Sequence, residues 1–540
     1  MTLSELMATR SWLERATILG LATAAGVTNF VALAVINSAA RHPEAADISS
    51  FLLLALLVVI HIVTSRLTFH RMSAVLEDAL HVLKLRIADK IERADLQRLE
   101  QMGSAKLLDQ ITGNLNGIAR AADTIGSLLQ SLFVLVVAIL YMAWLSPPSL
   151  IVMTVFGLAT YYIYRVRGAR VTQLWRSQAR ARALLLETLF GLLKGSKEIK
   201  LNRARSKEVL ADYMDVAGGL REVATHANQV YYDNGLFMAG NLYLILAALV
   251  FVLPQHTQIE GATLAALVAI TLFIWGSIRT VVDLYPTYLK ARLNLQEIDA
   301  LEGELGALER TTLHLDPWHG SPGRIVLSQL EYEYPSVDGD PPFHLGPIDL
   351  TVEPGETLFV VGGNGTGKST LLKLLTGLYM SSRGAVHAGT QPVSRDNVAA
   401  YREMISAIFS DSYLFSKVYG LLQVDPGRVH GLLRKMQLES KTEFSDGRFT
   451  CRDLSTGQRK RLAMVVALLE DRPIVVLDEW AADQDPEFRR YFYQELLPSL
   501  KQQGKTVIAV SHDSRYFHHA DRVVVMEEGV LRTSQAGLSP

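Results

Sequence analysis

A glycine-rich turn in the second half of the chain constrains the fold most, because it joins a short apolar run to a leucine-rich run. Leu358–Val361 leads into the turn, which matches the spacing G-x-x-x-x-G-K-[ST] at Gly362, Gly367, Lys368 and Ser369. Glycines let backbone amides curl around phosphate oxygens, where a Cβ atom would collide. The helix that follows directs its positive N-terminal end at the same anion. The turn therefore predicts a nucleotide site between a strand and a helix.

The residues of this turn have distinct expected roles. Lys368 can reach the β- and γ-phosphates, and the Ser369 hydroxyl can ligate Mg²⁺. A strand-to-helix turn that binds nothing is the alternative, but the complete motif in its expected context argues against it. The residues of the turn expected to bind the nucleotide are Gly362, Asn364, Gly365, Thr366, Gly367, Lys368, Ser369 and Thr370.

Length and composition set outer limits on the protein. A chain of 540 residues should hold more than one domain. Its net charge of −1 gives no indication of a nucleic-acid partner. The single cysteine, Cys451, excludes an intrachain disulfide and a multi-cysteine metal site. The first apolar run begins near Thr17 without a convincing cleavage site, so we expect a retained membrane span rather than a signal peptide.

The first half contains six apolar runs of roughly the length that crosses a bilayer, which is about 20 residues for a helix. A soluble helical core explains any one of them, but six in one half argue against that explanation. The expected spans are Thr17–Asn37, Phe51–Ser65, Ser127–Leu145, Ser149–Tyr164, Gly235–Leu253 and Ala262–Ile278.

The connections between these runs alternate in charge. Arg66–Arg120 holds nine Lys and Arg residues and Arg165–Arg221 holds thirteen, whereas Ser38–Ser50 holds one. The positive-inside rule therefore places both long connections and both termini in the cytoplasm. Apolar residues recur at helical spacing along the long connections, so the spanning helices should continue below the membrane. Two polar patches there, Asp95–Gly103 and Gly195–Asn202, are either turns that dock on the second half or solvated charged faces.

Polar residues inside the spans are few, and His61, Asn241 and Arg279 are the most interior. Intramembrane polar groups are costly, so substrate contact is a hypothesis for each. Arg279 lies four residues before Asp283 and can pair with it on one helix face, or it can extend to the cytoplasmic interface.

In the second half, Leu301–Gly323 is predicted to be a linker, and strands are predicted at Arg324–Tyr334 and Ile348–Val352. Tyr332 and Tyr334 are candidates to stack on a nucleotide base, with an exposed strand aromatic as the alternative.

Two buried-strand patterns end in residues suited to phosphate chemistry. Ile474–Asp478 is apolar up to its final carboxylate, and ligands bind at the carboxyl ends of parallel strands. Asp478 is suited to hold Mg²⁺, directly or through water, and Glu479 to polarise the attacking water. Thr506–Val510 leads to His512, which we expect at the same sheet edge near the γ-phosphate.

Leu454-Ser455-Thr456-Gly457-Gln458 resembles the LSGGQ signature of ABC transporter ATPases. The order of Tyr334, the phosphate loop, this signature, the acidic strand, Asp485 and His512 resembles that family over essentially the whole chain. Six spans followed by one ATPase resemble an exporter-type half-transporter. The resemblance implies that ATP is bound by the phosphate loop of one copy and by Leu454–Gln458 and Asp485 of a second copy, so a homodimer is expected.

Within that family the chain resembles the bacterial cyclic-peptide exporters of the syringomycin and pyoverdine type. Phe409-Ser410-Asp411 and Thr456 carry this resemblance. Most relatives have glutamine where Ser410 stands, and that glutamine joins Mg²⁺ sensing to the membrane helices. Serine is too short for the same contact, and Asp411 is an alternative. Thr456 replaces a glycine, and Trp480 and Ala481–Gln484 also depart from the family pattern.

The sequence thus predicts a helical six-span membrane domain (1–300), a linker (301–323) and an α/β ATP-binding domain (324–540). The resemblance implies ATP-driven export of a peptide-like substrate across the bacterial cytoplasmic membrane, with ATP and Mg²⁺ as cofactors and membrane lipid as the surroundings. The alternatives are a lipid or lipopeptide flippase and an ATP-gated sensor or scaffold that transports nothing. Combined leader cleavage and export is not expected, because spans begin almost at once.

Overall fold

The structure is a computed structural model that describes residues 12–41, 47–306, 323–334, 343–421, 424–451 and 453–533. The described residues divide into two compact units. The helical unit contains those up to Leu85 and from Asp109 to Ala300, and the α/β unit contains Arg86–Leu108 and those from Leu301 onward. A helical first half followed by an α/β second half confirms the predicted fold class.

The first half is built from helices, several of which are 45 residues or longer. They are α1 (Trp12–Arg41), α2 (Ile48–Arg93), α3 (Leu96–Met102), α4 (Ser104–Ala119), α5 (Ala121–Leu145), α6 (Pro147–Lys194), α7 (Ser196–Leu201), α8 (Arg203–Ala247) and α9 (Gly261–Gly306). Helix α8 continues through a π-helical turn at Ala248–Val252 into Leu253–His256. Pro254 lies in that last turn and has no amide hydrogen, which accounts for the local widening of the helix.

Within the described residues, five helices are long and apolar enough to cross a membrane, judged by length and composition. They are Trp12–Ala40, Ile48–Arg93, Gly126–Leu145, Arg203–His256 and Gly261–Gly306. These contain five of the six expected spans. The remaining one, Ser149–Tyr164, lies in the 48-residue α6, which is not among the five.

The helical unit has an apolar core formed by α1, α5, α6, α8 with its π-helical turn, and α9. Phe30, Met142, Leu249 and Ile274 are buried in this core. By contrast, no residue in the most apolar stretch of α2 is buried, and many of its apolar side chains are exposed. An exposed apolar surface of that length is typical of contact with lipid or a protein partner.

The three interior polar residues of the spans have partners within the helical unit. His61 Nδ1 lies 2.9 Å from the carbonyl oxygen of Ala25, and the Asn241 side chain donates to Thr160. Arg279 Nε lies 3.5 Å from Asp283 Oδ2, which confirms the predicted pairing on one helix face. Their contact with substrate stays a hypothesis.

The α/β unit contains twelve described strands. They are β1 (Ile325–Glu333), β2 (His344–Val352), β3 (Thr357–Gly362), β4 (Arg383–Ala388), β5 (Gln391–Pro392), β6 (Ile405–Ile408), β7 (Phe444–Ser445), β8 (Arg448–Phe449), β9 (Ile474–Asp478), β10 (Thr506–Val510), β11 (Arg522–Glu527) and β12 (Val530–Thr533). Its remaining helices are α10 (Lys368–Leu375), α11 (Val398–Arg402), α12 (Pro426–Lys435), α13 (Thr456–Glu470), α14 (Pro486–Tyr491) and α15 (Leu497–Gln502). A π-helical turn (Phe492–Leu496) joins α14 to α15, and a 3₁₀ turn covers Ser514–His519.

A six-stranded sheet sets the position of the site. Its order is β12-β11-β3-β10-β9-β6, with β12 antiparallel to β11 and the other neighbours parallel. Val510 pairs in register with both Val360 and Asp478, so β3, β9 and β10 end at one edge. Every residue of β9 and β10 is buried, as the two apolar runs predicted. A second, antiparallel sheet has the order β2-β1-β4-β5.

Two predicted boundaries shift. Helix α9 runs to Gly306, so the first six residues of the expected linker are helical, and 307–322 lie outside the described residues. Strand β2 begins at His344, four residues before the predicted start.

The first of the two polar patches, Asp95–Gly103, forms α3 and contacts the α/β unit to which it belongs. Lys373 Nζ donates to both carboxylate oxygens of Glu100, at 2.9 and 3.0 Å, and the Tyr379 hydroxyl also donates to Glu100. This confirms the docking interpretation for that patch. The second patch forms α7, which has no buried residue.

Candidate nucleotide-binding site

The phosphate-binding turn connects β3 to α10 and depends on glycine for steric reasons. Gly362, Gly365 and Gly367 have φ angles of 153°, 79° and 98°. A Cβ atom on Gly362 would lie 2.2 Å from the carbonyl oxygen of Met526. Gly365 and Gly367 adopt the left-handed region that side chains disfavour. The turn is therefore open on its inner side and lined by backbone.

Lys368 and Ser369 begin α10 and point their polar ends into the turn. Lys368 is 5% exposed, and its Nζ donates to the carbonyl oxygens of Gly362 and Gly363, at 3.1 and 2.7 Å. Ser369 Oγ donates to Asp478 Oδ2 at 2.9 Å. The predicted lysine, hydroxyl and carboxylate thus meet at one sheet edge.

Asp478 is a buried carboxylate whose hydrogen bonding is incomplete. Its Oδ1 has no hydrogen-bond partner of normal length among the described residues. Burial raises the pKa of Asp478 and the charge of Glu479 raises it further, while the Ser369 hydrogen bond and weaker contacts from Ser410 lower it. A cation would favour the charged form. A carboxylate oxygen beside a hydroxyl is the type of ligand set that Mg²⁺ prefers.

Ser410 lies close enough to hydrogen-bond to Asp478 through its backbone and its side chain. Ser410 and Asp411 are both exposed. Ser410, which stands where most relatives have glutamine, thus contacts the acidic strand.

Glu479 and His512 follow neighbouring strands and contact each other. His512 Nε2 lies 2.8 Å from Glu479 Oε1, and both side chains are partly exposed. Glu479 has a φ angle of 49°, an uncommon value for a residue with a side chain. Strain of this kind is concentrated at functional sites. The pair has the geometry of a base and the group that orients it.

A cavity of about 450 Å³ opens beside these groups. The residues that line it are Tyr334, Phe343, Asn364, Gly365, Gly367, Lys368, Ser369, Thr370 and Glu479. Eight of these nine were predicted from the sequence; Phe343 was not, because no motif singles it out. Gly362 and Thr366 shape the turn instead of lining the cavity, and Thr366 Oγ1 donates to the Gly363 carbonyl at 2.9 Å.

The two strand tyrosines have different positions. Tyr334 lines the cavity, its hydroxyl lies 3.1 Å from Thr370 Oγ1, and its ring packs near Phe343. Tyr332 is 1% exposed and supports the Tyr334 ring edge-on at 5.1 Å. Base stacking is therefore a candidate role for Tyr334, whereas Tyr332 is a core residue.

Changing Tyr334 to Leu is expected to raise the KM for ATP about 5- to 150-fold, because stacking on a base contributes about 1–3 kcal/mol. Tyr334→Phe keeps the ring and loses only the hydroxyl, which contacts Thr370 and Tyr379, so its KM should stay within about threefold of the wild-type value. Steady-state ATPase measurements over a range of ATP concentrations check both. Equal KM values for the two variants would refute the stacking role.

The signature residues lie at the start of α13 and form a capping box. Ser455 Oγ accepts from the Gln458 amide at 3.3 Å, and Gln458 Oε1 accepts from the Ser455 amide at 3.1 Å. Thr456 is exposed, and a Cβ atom on Gly457 would lie 2.5 Å from the Asp483 carbonyl oxygen. None of Leu454–Gln458 lines the cavity in the described part of the chain.

Asp485, also predicted to contact the nucleotide, caps α14 in this structure. Its Oδ1 accepts from the Phe488 amide at 2.8 Å and its Oδ2 accepts from Arg461. These contacts, with the Phe488 hydrogen bond the largest, hold the pKa of Asp485 below its usual value. Asp485 does not line the described cavity, and nucleotide contact by this residue stays a prediction.

Comparison with known proteins agrees with these observations. Residues 345–482 match the ABC transporter family, and residues 11–201 match the ABC transporter transmembrane region. The chain is 31% identical over 474 residues to the ATP-binding protein SyrD of Pseudomonas syringae pv. syringae, covering 83% of this chain and 81% of that protein.

Two further relatives are ATP-dependent lipid A-core flippases. The protein from Hahella chejuensis is 29% identical over 420 residues, covering 70% of this chain and 69% of its own. The protein from Xanthomonas campestris pv. campestris (strain 8004) is 26% identical over 554 residues, covering 96% and 90%. Both halves are matched, and one relative exceeds 30% identity over most of its length. The chain therefore belongs to the ABC transporter family, as an exporter that couples ATP hydrolysis to transport across a membrane.

Proposed function

We propose that this protein is an ATP-driven exporter of a peptide-like, amphipathic substrate across the bacterial cytoplasmic membrane, working as a homodimer of six-span half-transporters. The observation that carries the proposal is that, in the described α/β unit, the signature residues lie apart from the residues that line the cavity. The cavity has groups for the phosphates, the metal and the attacking water, whereas Leu454–Gln458 are absent from its described lining. A second copy would supply those residues to the open side of the cavity.

In this proposal the cavity residues share the work on ATP. Lys368 and the backbone of the turn hold the β- and γ-phosphates. Ser369 and Asp478 would hold Mg²⁺, which neutralises phosphate charge when bound. Glu479 accepts the proton of the attacking water, and His512 orients that carboxylate through their 2.8 Å contact. Closure of two such sites is the two-state step that biases the membrane helices.

The resemblance to cyclic-peptide exporters at Ser410, Asp411 and Thr456 supports a cyclic peptide, lipopeptide or peptide siderophore as the substrate. A group of side chains in the helical unit fits an amphipathic molecule. The Trp175 and Tyr231 rings lie 6.2 Å apart, and the Tyr231 hydroxyl donates to Asp283, which also contacts Arg279. Aromatic faces beside one acidic and one basic group offer both apolar and charged contacts.

A lipid flippase is the second candidate, because two of the relatives are named as lipid A-core flippases. The alignments with this chain cover 69% and 90% of those two proteins. An apolar surface on α2 is compatible with either cargo. The two candidates differ in the chemistry of the transported molecule and share the ATP site.

Transport into sealed proteoliposomes tests the proposal. With Mg·ATP added outside, the purified protein should accumulate at least one member of a panel of labelled cyclic peptides and lipopeptides, and Glu479→Gln should accumulate none. Movement of a labelled lipid A-type lipid without peptide uptake would favour the flippase. ATP hydrolysis without net movement of any cargo would contradict the exporter and favour the sensor.

A further inference from the structure

Lys460 is a buried cation that the proposed chemistry does not use. It lies on α13, five residues after the cap Ser455, and is 5% exposed. A buried ammonium group is costly unless it is paired and hydrogen-bonded. Lys460 is paired, and its contacts connect two parts of the ATP-hydrolysing machinery.

The Lys460 ammonium group reaches the segment that follows β9. Its Nζ donates to the main-chain carbonyl oxygen of Glu479 at 2.7 Å and lies 2.7 Å from Asp483 Oδ2. In return, Trp480 Nε1 donates to the Lys460 carbonyl oxygen at 2.8 Å. These reciprocal bonds fasten α13 to Glu479 and Trp480; we refer to Lys460 and Trp480 together as the clasp.

Rigid surroundings hold the clasp in place. Trp480 is 1% exposed, and its ring packs against Phe492 at 4.7 Å and Phe488 at 6.1 Å. Trp480 is one of the residues that depart from the family pattern. The clasp therefore belongs to this chain's own version of the segment after the acidic strand.

The backbone of Glu479 needs such support. Its φ angle of 49° is in the left-handed region, where a residue with a side chain is disfavoured by about 1–2 kcal/mol. A strained conformation persists only when neighbouring contacts determine it. The bond from Lys460 to the Glu479 carbonyl oxygen is one such contact, and the Glu479 carboxylate aimed at His512 depends on the same backbone.

We propose that Lys460 is a positioning residue that connects the two ATP sites of a dimer. The N-terminal end of its helix, α13, would contact the ATP bound by the partner's phosphate loop. Lys460 joins that helix to Glu479, which would act on the ATP bound by its own chain. This inference rests on the dimeric function proposed above. ATP bound at Ser455–Gln458 would fix the position of α13. Through its contact with Lys460, the backbone of Glu479 would then be fixed as well. Each site then becomes fully active when the other is occupied.

Lys460→Met tests the inference, since methionine fills a similar volume and removes all three donors. We expect kcat to fall about 10- to 100-fold, because a small misplacement of a catalytic group costs up to about 100-fold. KM should stay within about twofold, because Lys460 does not line the described cavity. The Hill coefficient for ATP should be above 1 in the wild type and close to 1 in Lys460→Met.

Two further variants separate positioning from stability. Lys435→Met is the same substitution at an exposed position of α12 and should match the wild type in kcat and Hill coefficient. Trp480→Phe keeps an aromatic ring and loses one donor, which is worth about 0.5–1.5 kcal/mol, so kcat should fall about 2- to 12-fold. Rates are normalised to the ATP trapped per chain in the matching Glu479→Gln background, so that misfolded protein is not counted.

The inference fails if normalised kcat and Hill coefficient in Lys460→Met equal those of Lys435→Met. It also fails if kcat falls while the Hill coefficient keeps its wild-type value, because the residue would then support one site alone. Absence of substrate transport by the wild-type protein would contradict the proposed exporter function and leave these ATPase comparisons intact.

Discussion

Glu479→Gln is expected to lower the turnover of ATP about 10²–10⁴-fold, the usual contribution of a positioned general base. Glutamine keeps the shape of the side chain and can still contact His512, which lies 2.8 Å from Glu479 Oε1. It cannot accept the proton of the attacking water. The affinity for ATP should change less than about threefold, because Lys368 and the glycine turn hold the phosphates in the proposed site. Steady-state ATPase rates and ATP binding to the purified protein measure the two effects.

Glu487→Gln is the matched control, since Glu487 is exposed in the first turn of α14 and lies eight residues further along the chain. Its turnover should equal that of the wild type. Wild-type turnover in Glu479→Gln as well would remove Glu479 from the chemistry, and the proposed division of roles in the cavity would fail with it.

Thr456→Glu is expected to lower turnover about 100-fold or more in the proposed homodimer. The side chain at 456 is exposed at the first residue of α13, where the partner's phosphates would dock. A carboxylate there faces the phosphates, and like charges brought together at an interface cost several kcal/mol. The same carboxylate is favourable to its own helix, because acids stabilise a helix N-terminus. The folded chain should therefore be no less stable than the wild type.

Thr456→Gln separates charge from bulk, because glutamine has the size of glutamate and no charge. Its turnover should exceed that of Thr456→Glu by at least about tenfold, and thermal unfolding should show both variants folded. Equal losses in the two variants would assign the effect to size, and undiminished turnover in Thr456→Glu would show that the α13 start does not meet ATP.

The parts of the site that the sequence predicts are those determined locally. Gly362–Ser369 can be recognised because close approach of the backbone to phosphate requires glycine at fixed spacing. Asp478, Glu479 and His512 can be placed together because β9 and β10 are buried parallel strands and their ends meet at one edge.

The features that the sequence does not predict depend on packing between distant segments. Tyr332 and Tyr334 are alike in the sequence, yet only Tyr334 reaches the cavity, because strand residues two apart sit in different surroundings once β1 is packed. Asp485 stands at the expected place in the order of motifs along the chain, but its side chain accepts a hydrogen bond from the start of α14 and caps that helix. Lys460 and Glu479 are 19 residues apart, and their contact exists only because α13 packs on the end of β9.

The central claim is that each ATP site is shared by two copies of the chain, and counting trapped ATP in mixed dimers tests it most directly. Every chain carries Glu479→Gln, so that bound ATP is retained. In the first dimer, one chain carries Lys368→Ala and the other Thr456→Glu. In the second dimer, one chain carries both changes and the other carries neither.

Sites shared between chains predict one trapped ATP in the first dimer, where Lys368 of one chain still faces an unchanged α13 of the other. They predict none in the second dimer, where each site has lost one side. If a single chain holds ATP through Lys368 without any α13 start, both dimers retain one unchanged Lys368 and trap one ATP each. If a single chain holds ATP between its own Lys368 and its own α13 start, the first dimer traps none and the second traps one, which would also contradict the account. One trapped ATP in both dimers would contradict the account.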